Sequence, residues 1–402
     1  MTAAALLELA SAKAWPKVQL RDVLEVQNGF AFSSKKFSEK GGVPLIRIRD
    51  LKDNGASAVG FLGDYDVAYV VNDGDLLIGM DGAFRCYEWR GGPALLNQRV
   101  CRLVNFDSQL HPRFLFYGIN KYLKEIEDET SFTTVKHLSS KTVKAIEFPL
   151  PPLEEQKRIV AVLDQAFAAL DRARALAEAN LSDAEALFEN TLEAVFERFA
   201  SSDLILPLGE AVHADCKLSY GIVQPGDEVA SGLPIVRPVD LGRPIISTAG
   251  LKRILPDRAD GYSRTKLTGA ELLLCVRGTT GEVSMASPEL AGANVTRGIV
   301  PVRFDPAKVD LEFAYFQMRS PFMRKQIAAN TYGAALMQIN IKDVRELKFV
   351  RPSLEIQQKA KTEMRHLFDR AERMIGHYQA KLDDLAALRE TLLQQAFAGE
   401  LT

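Results

Sequence analysis

The chain has 402 residues, 47% of them hydrophobic and 25% charged, with a formal net charge of −2. At about 150 residues per domain this length predicts two or three domains, and the composition excludes disordered, collagenous and disulfide-scaffold classes. A near-neutral total argues against a surface that grips nucleic acid everywhere, but the charge is uneven: +1 over 1–152, −5 over 153–200, +3 over 201–352 and −1 over 353–402.

No basic stretch followed by an apolar one opens the sequence, and the longest apolar runs, such as 272–276, fall far short of the roughly 20 residues a membrane span needs. A soluble, cytoplasmic protein is expected. In the first block the segments 43–48, 76–78 and 100–104 are rich in Val, Ile and Leu, are punctuated by Gly, Pro, Asn and Asp, and predict strands, while 114–127 predicts a helix. Residues 153–199 contain neither Pro nor Gly and are dominated by Ala, Leu, Glu and Arg, the strongest helix formers. Positions 163, 167, 170, 174, 177, 181, 184, 188, 191 and 195 alternate steps of four and three, and eight of the ten are apolar. This is a coiled-coil stripe. The second block predicts strands at 234–236, 272–276 and 299–304 and a helix at 311–330. A second stripe in the same frame then runs from Met364 to Ala396.

The two blocks are one plan used twice. KTVKAIEFPLPPLEEQ (141–156) matches KDVRELKFVRPSLEIQ (342–357) at seven of sixteen positions, 201 residues apart. Upstream, GVPLIR (42–47) answers GLPIVR (232–237), DLLI (75–78) answers ELLL (271–274), and NQRV (97–100) answers NVTRGI (294–299). The expected fold class is therefore α+β. Two mainly β domains, 1–152 and 201–352, alternate with helices at 153–200 and 353–402 that pack as an antiparallel coiled coil, giving a pseudo-twofold internal repeat. Each helix would be roughly 70 Å long at about 1.5 Å per residue, so a rod of this kind is expected to hold two heads at a set distance.

Catalytic motifs are missing. The sequence has no Asn/Asp-Pro-Pro-aromatic tetrapeptide, no dinucleotide fingerprint and no phosphate-cradling loop. Gly278-Thr-Thr-Gly281 reads as a turn between strands; a nuclease needs a Glu-x-Lys triplet on a strand beside an upstream Asp to hold a metal, whereas Glu155-Gln-Lys157 falls in the opening turn of the long helix and does not match Glu346-Leu-Lys348 in the repeat. The cysteines Cys86, Cys101, Cys216 and Cys275 stand singly, as buried thiols do, and no structural metal site is expected. A binding protein with two similar heads remains, and DNA with two half-sites suits it. The competing reading is a coiled-coil adaptor or antirestriction-type protein whose heads bind protein partners. A DNA mimic would need acidic heads, and these are slightly basic.

FPLPPLEEQKRIV (148–160) resembles the joint between target recognition domain and conserved helix in specificity subunits of type I restriction-modification systems. LLLQQAFAGEL at the C-terminus, GFAFSSKKF (29–37) and SYGIVQ (219–224) are similar to the ending and the two domain openings of that family. Ile356 and Gln358 stand where the first joint has Glu155 and Lys157. The resemblance implies two target recognition domains, double-stranded DNA as ligand and no chemistry in this chain. It also implies two adenine-N6 methyltransferase subunits that use S-adenosylmethionine, and ATP-dependent motor-nuclease subunits in the full complex.

Candidate DNA contacts follow from side-chain chemistry. Asn97, Gln98 and Arg99, with Asn294, Thr296 and Arg297, lie just ahead of a strand. Asn and Gln can take adenine N6/N7 and Arg guanine O6/N7, the alternative being turn-capping side chains. Arg47 and Arg237 follow an apolar strand and suit folding or phosphate contact. Lys35, Lys36, Arg85 and Arg277 suit phosphates. Lys136 and His137, with Gln338 and Asn340, occupy corresponding places before the joints, and the resemblance implies that they lie near the DNA. Tyr220 and Tyr332 suit either a DNA contact or a core.

Overall fold

In a computed structural model the structure describes residues 15–52, 59–130, 136–199, 202–333 and 337–401. The chain divides into two compact units, one formed by 1–176 with 382–402 and the other by 177–381. The boundary runs through the two long helices.

The first unit holds a four-stranded antiparallel sheet in the order Glu25–Asn28, Val100–Val104, Leu76–Gly79, Cys86–Glu88. Beside it lies a five-stranded sheet whose central pair, Val43–Ile46 and Ala94–Leu96, is parallel, with Ile46 opposite Leu96. The second unit repeats the three-stranded antiparallel core of the first sheet and the parallel pair of the second. Ile245–Ile246 is added to that core in parallel, on the edge opposite to that of Glu25–Asn28. Ile245–Ile246, Val283–Ala286, Glu271–Cys275 and Ile299–Arg303 form its four-stranded sheet, and Leu233–Val236 pairs parallel with Asn294–Val295 in a three-stranded one. The predicted helix at 114–127 is Pro112–Glu129. The one predicted at 311–330 is two, Leu311–Arg319 and Pro321–Ala329. Pro321 supplies no N–H and drives Ser320 out of the helical region, to φ −64° and ψ 153°. The Ser320 hydroxyl then caps the second helix by accepting from the Met323 N–H.

The repeated joint motif has a physical reason. Phe148 and Phe349 are fully buried in short strands that pair with Lys17–Gln19 and Ile205–Pro207. Gln156 sits in the first turn of the helix Leu153–Glu197 at 0% exposure. Its Nε2 donates to the carbonyls of Gln109 and Pro151 at 2.7 and 2.8 Å, and its Oε1 accepts from the His111 N–H at 2.8 Å. Gln357, in the helix Leu354–Ala398, repeats this with the carbonyls of Lys308 and Pro352 and the Asp310 N–H, each at 2.8 Å. One buried amide thus ties the start of each long helix to the loop that opens the head's own helix, and satisfies groups that burial would otherwise leave orphaned.

Within each unit the long helices run antiparallel. In the first, Arg389 lies 4.0 Å over the Phe167 ring and pairs with Asp171, while Phe397 packs on Phe114 and Phe148. In the second, Phe188 meets Phe368, and Phe196 packs on Phe313. Nine of the ten central stripe positions are buried or half-buried; Arg174 is exposed. The ion pair Arg113–Asp164 at 2.6 Å is repeated with reversed sign as Glu312–Arg365. Among the described residues no helix is long and apolar enough to cross a membrane.

Candidate nucleic-acid interface

In each unit three separate segments meet at one end of the sheets. In the first, the Met80 N–H donates to the Arg99 carbonyl at 3.0 Å and the Leu138 N–H to the Met80 carbonyl at 2.7 Å. The turn 97–99, the loop 80–82 and the approach to the joint at 136–139 therefore lie side by side. In the second, Val276 N–H donates to Gly298 and Ile339 N–H to Val276, at 2.8 and 3.0 Å. The structure thus brings together Asn97, Gln98, Arg99 and His137 in one unit, and Thr296, Arg297, Arg277, Gln338 and Asn340 in the other.

These hydrogen bonds correct the register read from sequence. Asn97 bridges Phe30 as Thr296 bridges Ile222, so Asn97 corresponds to Thr296, Gln98 to Arg297 and Arg99 to Gly298. Asn294 falls inside a strand at 2% exposure. Its Oδ1 accepts from Thr265 Oγ1 at 2.7 Å and the Val295 N–H at 2.9 Å, and its Nδ2 donates to the Tyr262 carbonyl at 3.1 Å. Asn294 is a core amide and not a base reader. Asp81, and not Arg85, is the counterpart of Arg277, since Asp81 bridges His137 as Arg277 bridges Gln338.

Asp81 was invisible to the motif reading and organises the first site. Its carboxylate pairs with Arg99 and lies 2.7 Å from His137 Nδ1. Burial works against its charged form, but the bonds from His137 and Arg99 outweigh burial and hold its carboxyl below the ordinary range. Arg99 and His137 remain largely exposed, with side-chain exposures of 64% and 65%, so both are held in place and still open to a ligand. Gln98 is exposed, and the Asn97 Oδ1 accepts from its N–H at 2.8 Å, which stiffens the turn. Phe30, 48% exposed beside Asn97 and packed on Phe32 and Tyr69, is an aromatic side chain on this surface that sequence reading missed.

The other candidates separate. Lys35 and Lys36 are exposed on the short 3-10 helix Ser34–Lys36. Lys136 is half-buried and 3.5 Å from Glu127, which offsets its charge. Arg85 lies over Tyr87 and lines an open cleft of about 1020 Å³ with Arg113, Asp164 and Arg389. Tyr220 and Tyr332 are 37% and 43% exposed, so neither is a core aromatic. The Tyr332 hydroxyl bonds Asn340, and the Tyr332 backbone exchanges both hydrogen bonds with Gln338 at 2.9 Å. Arg47 and Arg237 are clamped by Asp50 and Asp240, three residues on, whose carboxylates also accept from the arginine backbone N–H groups that open short 3-10 turns. Those two arginines build the site without being free to read bases.

Residues 12–179 match the family model for the type I restriction modification DNA specificity domain. Along 96% of its length the chain is 30% identical to the EcoBI specificity subunit of Escherichia coli, covering 86% of that protein. The chain belongs to the type I restriction enzyme specificity subunits. It is also 25% identical over 85% of its length to the putative MjaX specificity subunit of Methanocaldococcus jannaschii. Its fold is that of a chain solved in work on complex assembly and conformational transition of the type I R-M system, with TM-score 0.70, 18% identity and coverage of 97% and 99%. The HsdS subunit from Thermoanaerobacter tengcongensis gives TM-score 0.53 at 19% identity, with coverage of 97% and 98%. The α+β class with two β-rich domains and long helices is thus the fold of specificity subunits.

Proposed function

We propose that this chain is the DNA-sequence-recognition subunit of a cytoplasmic type I restriction-modification complex and reads a bipartite target, one half-site per head. It transfers no methyl group and cuts no DNA itself. It positions two adenine-N6 methyltransferase subunits, which bring S-adenosylmethionine, and ATP-dependent motor-nuclease subunits. The observation that carries this reading is the repeated three-segment surface, which gathers Gln98, Arg99 and His137 in one unit and Arg297, Gln338 and Asn340 in the other. Amides and guanidinium groups are the side chains that discriminate base edges in the major groove. The test is methylation of random-sequence DNA by the chain co-purified with its methyltransferase subunits. The expected product carries N6-methyladenine in one motif with two specified halves and an unspecified gap, and the chain alone leaves DNA unmodified. Methylation of a single undivided motif, or turnover by the chain alone, would count against it.

A further inference from the structure

The clamped turns beside each surface present one residue apiece. In the first unit the Arg47 N–H and Nε donate to Asp50 Oδ2 at 2.8 and 3.0 Å, and Nη2 to Oδ1 at 3.1 Å. In the second the Arg237 N–H and Nε donate to Asp240 Oδ2 at 2.7 and 3.0 Å, and Nη2 to Oδ1 at 2.8 Å. Backbone angles agree, at φ −109°, ψ 163° for Arg47 and φ −113°, ψ 160° for Arg237. Three hydrogen bonds from one arginine to one carboxylate fix a turn of four residues, a large investment for a surface loop. Asp50 is 4% exposed, so the clamp is built into the head.

The clamp places these turns against the proposed reading surface. Arg47 and Asn97 each directly follow a residue of the parallel pair Ile46 and Leu96, so both chains leave the sheet at the same end. In the second unit the Thr296 N–H donates to the Val236 carbonyl at 3.0 Å. A methyl group on Gly298 would come within 2.6 Å of Pro238 Cγ, so the two turns are in contact there. What the matching turns display differs. Residue 49 is an exposed arginine, and its counterpart Val239 is an apolar side chain 79% exposed on a rigid support. Folding gives no reason for either, since neither side chain enters the core.

We propose that positions 49 and 239 are specificity-determining, with Val239 packing on a thymine methyl in one half-site and Arg49 bonding a guanine O6/N7 edge in the other. Thymine is the base that offers a methyl group in the major groove, and a guanidinium pairs in bidentate fashion with guanine. This inference rests on the function proposed above and assigns the site its chemistry.

The experiment uses the full chain in complex with its methyltransferase subunits and oligonucleotide duplexes of the methylated motif. Each thymine of the Val239 half-site is replaced in turn by deoxyuracil, which removes the methyl alone. At one position the native complex is expected to lose about fourfold in methylation efficiency, the value of one buried methyl group at about 0.8 kcal/mol. Val239→Ala should work on thymine at the native uracil level and no longer distinguish the two. In the other half, 7-deazaguanine at one position should cost the native complex about tenfold, and Arg49→Ala should be indifferent to it. Both side chains are exposed, so neither variant threatens folding. If the native complex methylates a bipartite motif while Val239→Ala and Arg49→Ala keep its full response to every substitution, the inference is overturned and the proposed function stands. A uniform loss across all guanines with Arg49→Ala makes it a phosphate contact and overturns the guanine assignment. Absence of any bipartite motif removes both readings.

Discussion

Replacing Gln156 by Leu, which keeps the shape of the side chain and deletes its amide, tests the account of the joint. The change strands the His111 N–H and the carbonyls of Gln109 and Pro151. Gln109 is exposed and its carbonyl can turn to water, whereas Pro151 is buried and His111 half-buried. At about 1–3 kcal/mol for each buried polar group left unsatisfied, two full losses and one partial loss come to roughly 3–5 kcal/mol. For a unit of this size that lowers the unfolding midpoint by roughly 10 °C, at about 2–4 °C per kcal/mol. Gln156→Glu should be as damaging, because it keeps the acceptor for His111 but sets an oxygen against two carbonyls. The two tryptophans, Trp15 and Trp89, both lie in the first unit. Their fluorescence therefore follows that unit during thermal or urea unfolding, while circular dichroism follows both. Gln156→Leu should move the fluorescence transition, and Gln357→Leu should move the dichroism transition with a smaller change in fluorescence. A shift below about 1 kcal/mol for Gln156→Leu, or equal fluorescence shifts for the two variants, would refute the reasoning.

The reversed ion pairs predict that Arg113→Glu, which faces Glu88 and Asp164, costs about 1–2 kcal/mol in urea unfolding, since the pair is more than one-third exposed. Adding Asp164→Arg, the arrangement found at Glu312 and Arg365, should restore more than half of that loss. Because the folded Asp81 carboxyl titrates below its ordinary range, its contribution is fully present above about pH 4 and is lost as pH falls through the folded value. Urea titrations should therefore show the stability gap between native protein and Asp81→Asn closing below that pH, and a gap that widens in acid would contradict the assigned pairs. Lys35→Ala with Lys36→Ala should lower the salt dependence of DNA binding by about 1.8 in log–log slope and leave the methylated motif unchanged, as loss of two phosphate contacts does.

Periodicity and repetition carried most of the architecture. The four-three stripe located both long helices because a coiled-coil seam imposes a period that nothing else in a soluble chain imposes so regularly. The 201-residue repeat exposed Gln156 and Gln357 as a pair, although the reason for them, a buried amide closing a loop, needed coordinates. Pro321 marked the break in the predicted helix at 311–330, and a residue ahead of proline is biased out of the helix, so that signal was present and outweighed by the surrounding apolar pattern. The site was less legible. Asn97 and Asn294 look equivalent in a gapped match, but strand register separates them, placing one in a turn and the other in the core. Asp81 carries no motif; it matters because the fold brings His137 to it across 56 residues. Arg47 and Arg237 stood out as repeated cations, and the carboxylates at Asp50 and Asp240 that neutralise them recur in the same spacing and were the available clue.

The most direct test of the central claim, that each head reads its own half-site, is an exchange of residues 1–152 for the corresponding segment of another specificity subunit, followed by sequencing of N6-methyladenine in DNA modified by the complex. The account predicts a motif in which one half is replaced and the other is kept. A motif changed in both halves, or in neither, would contradict it.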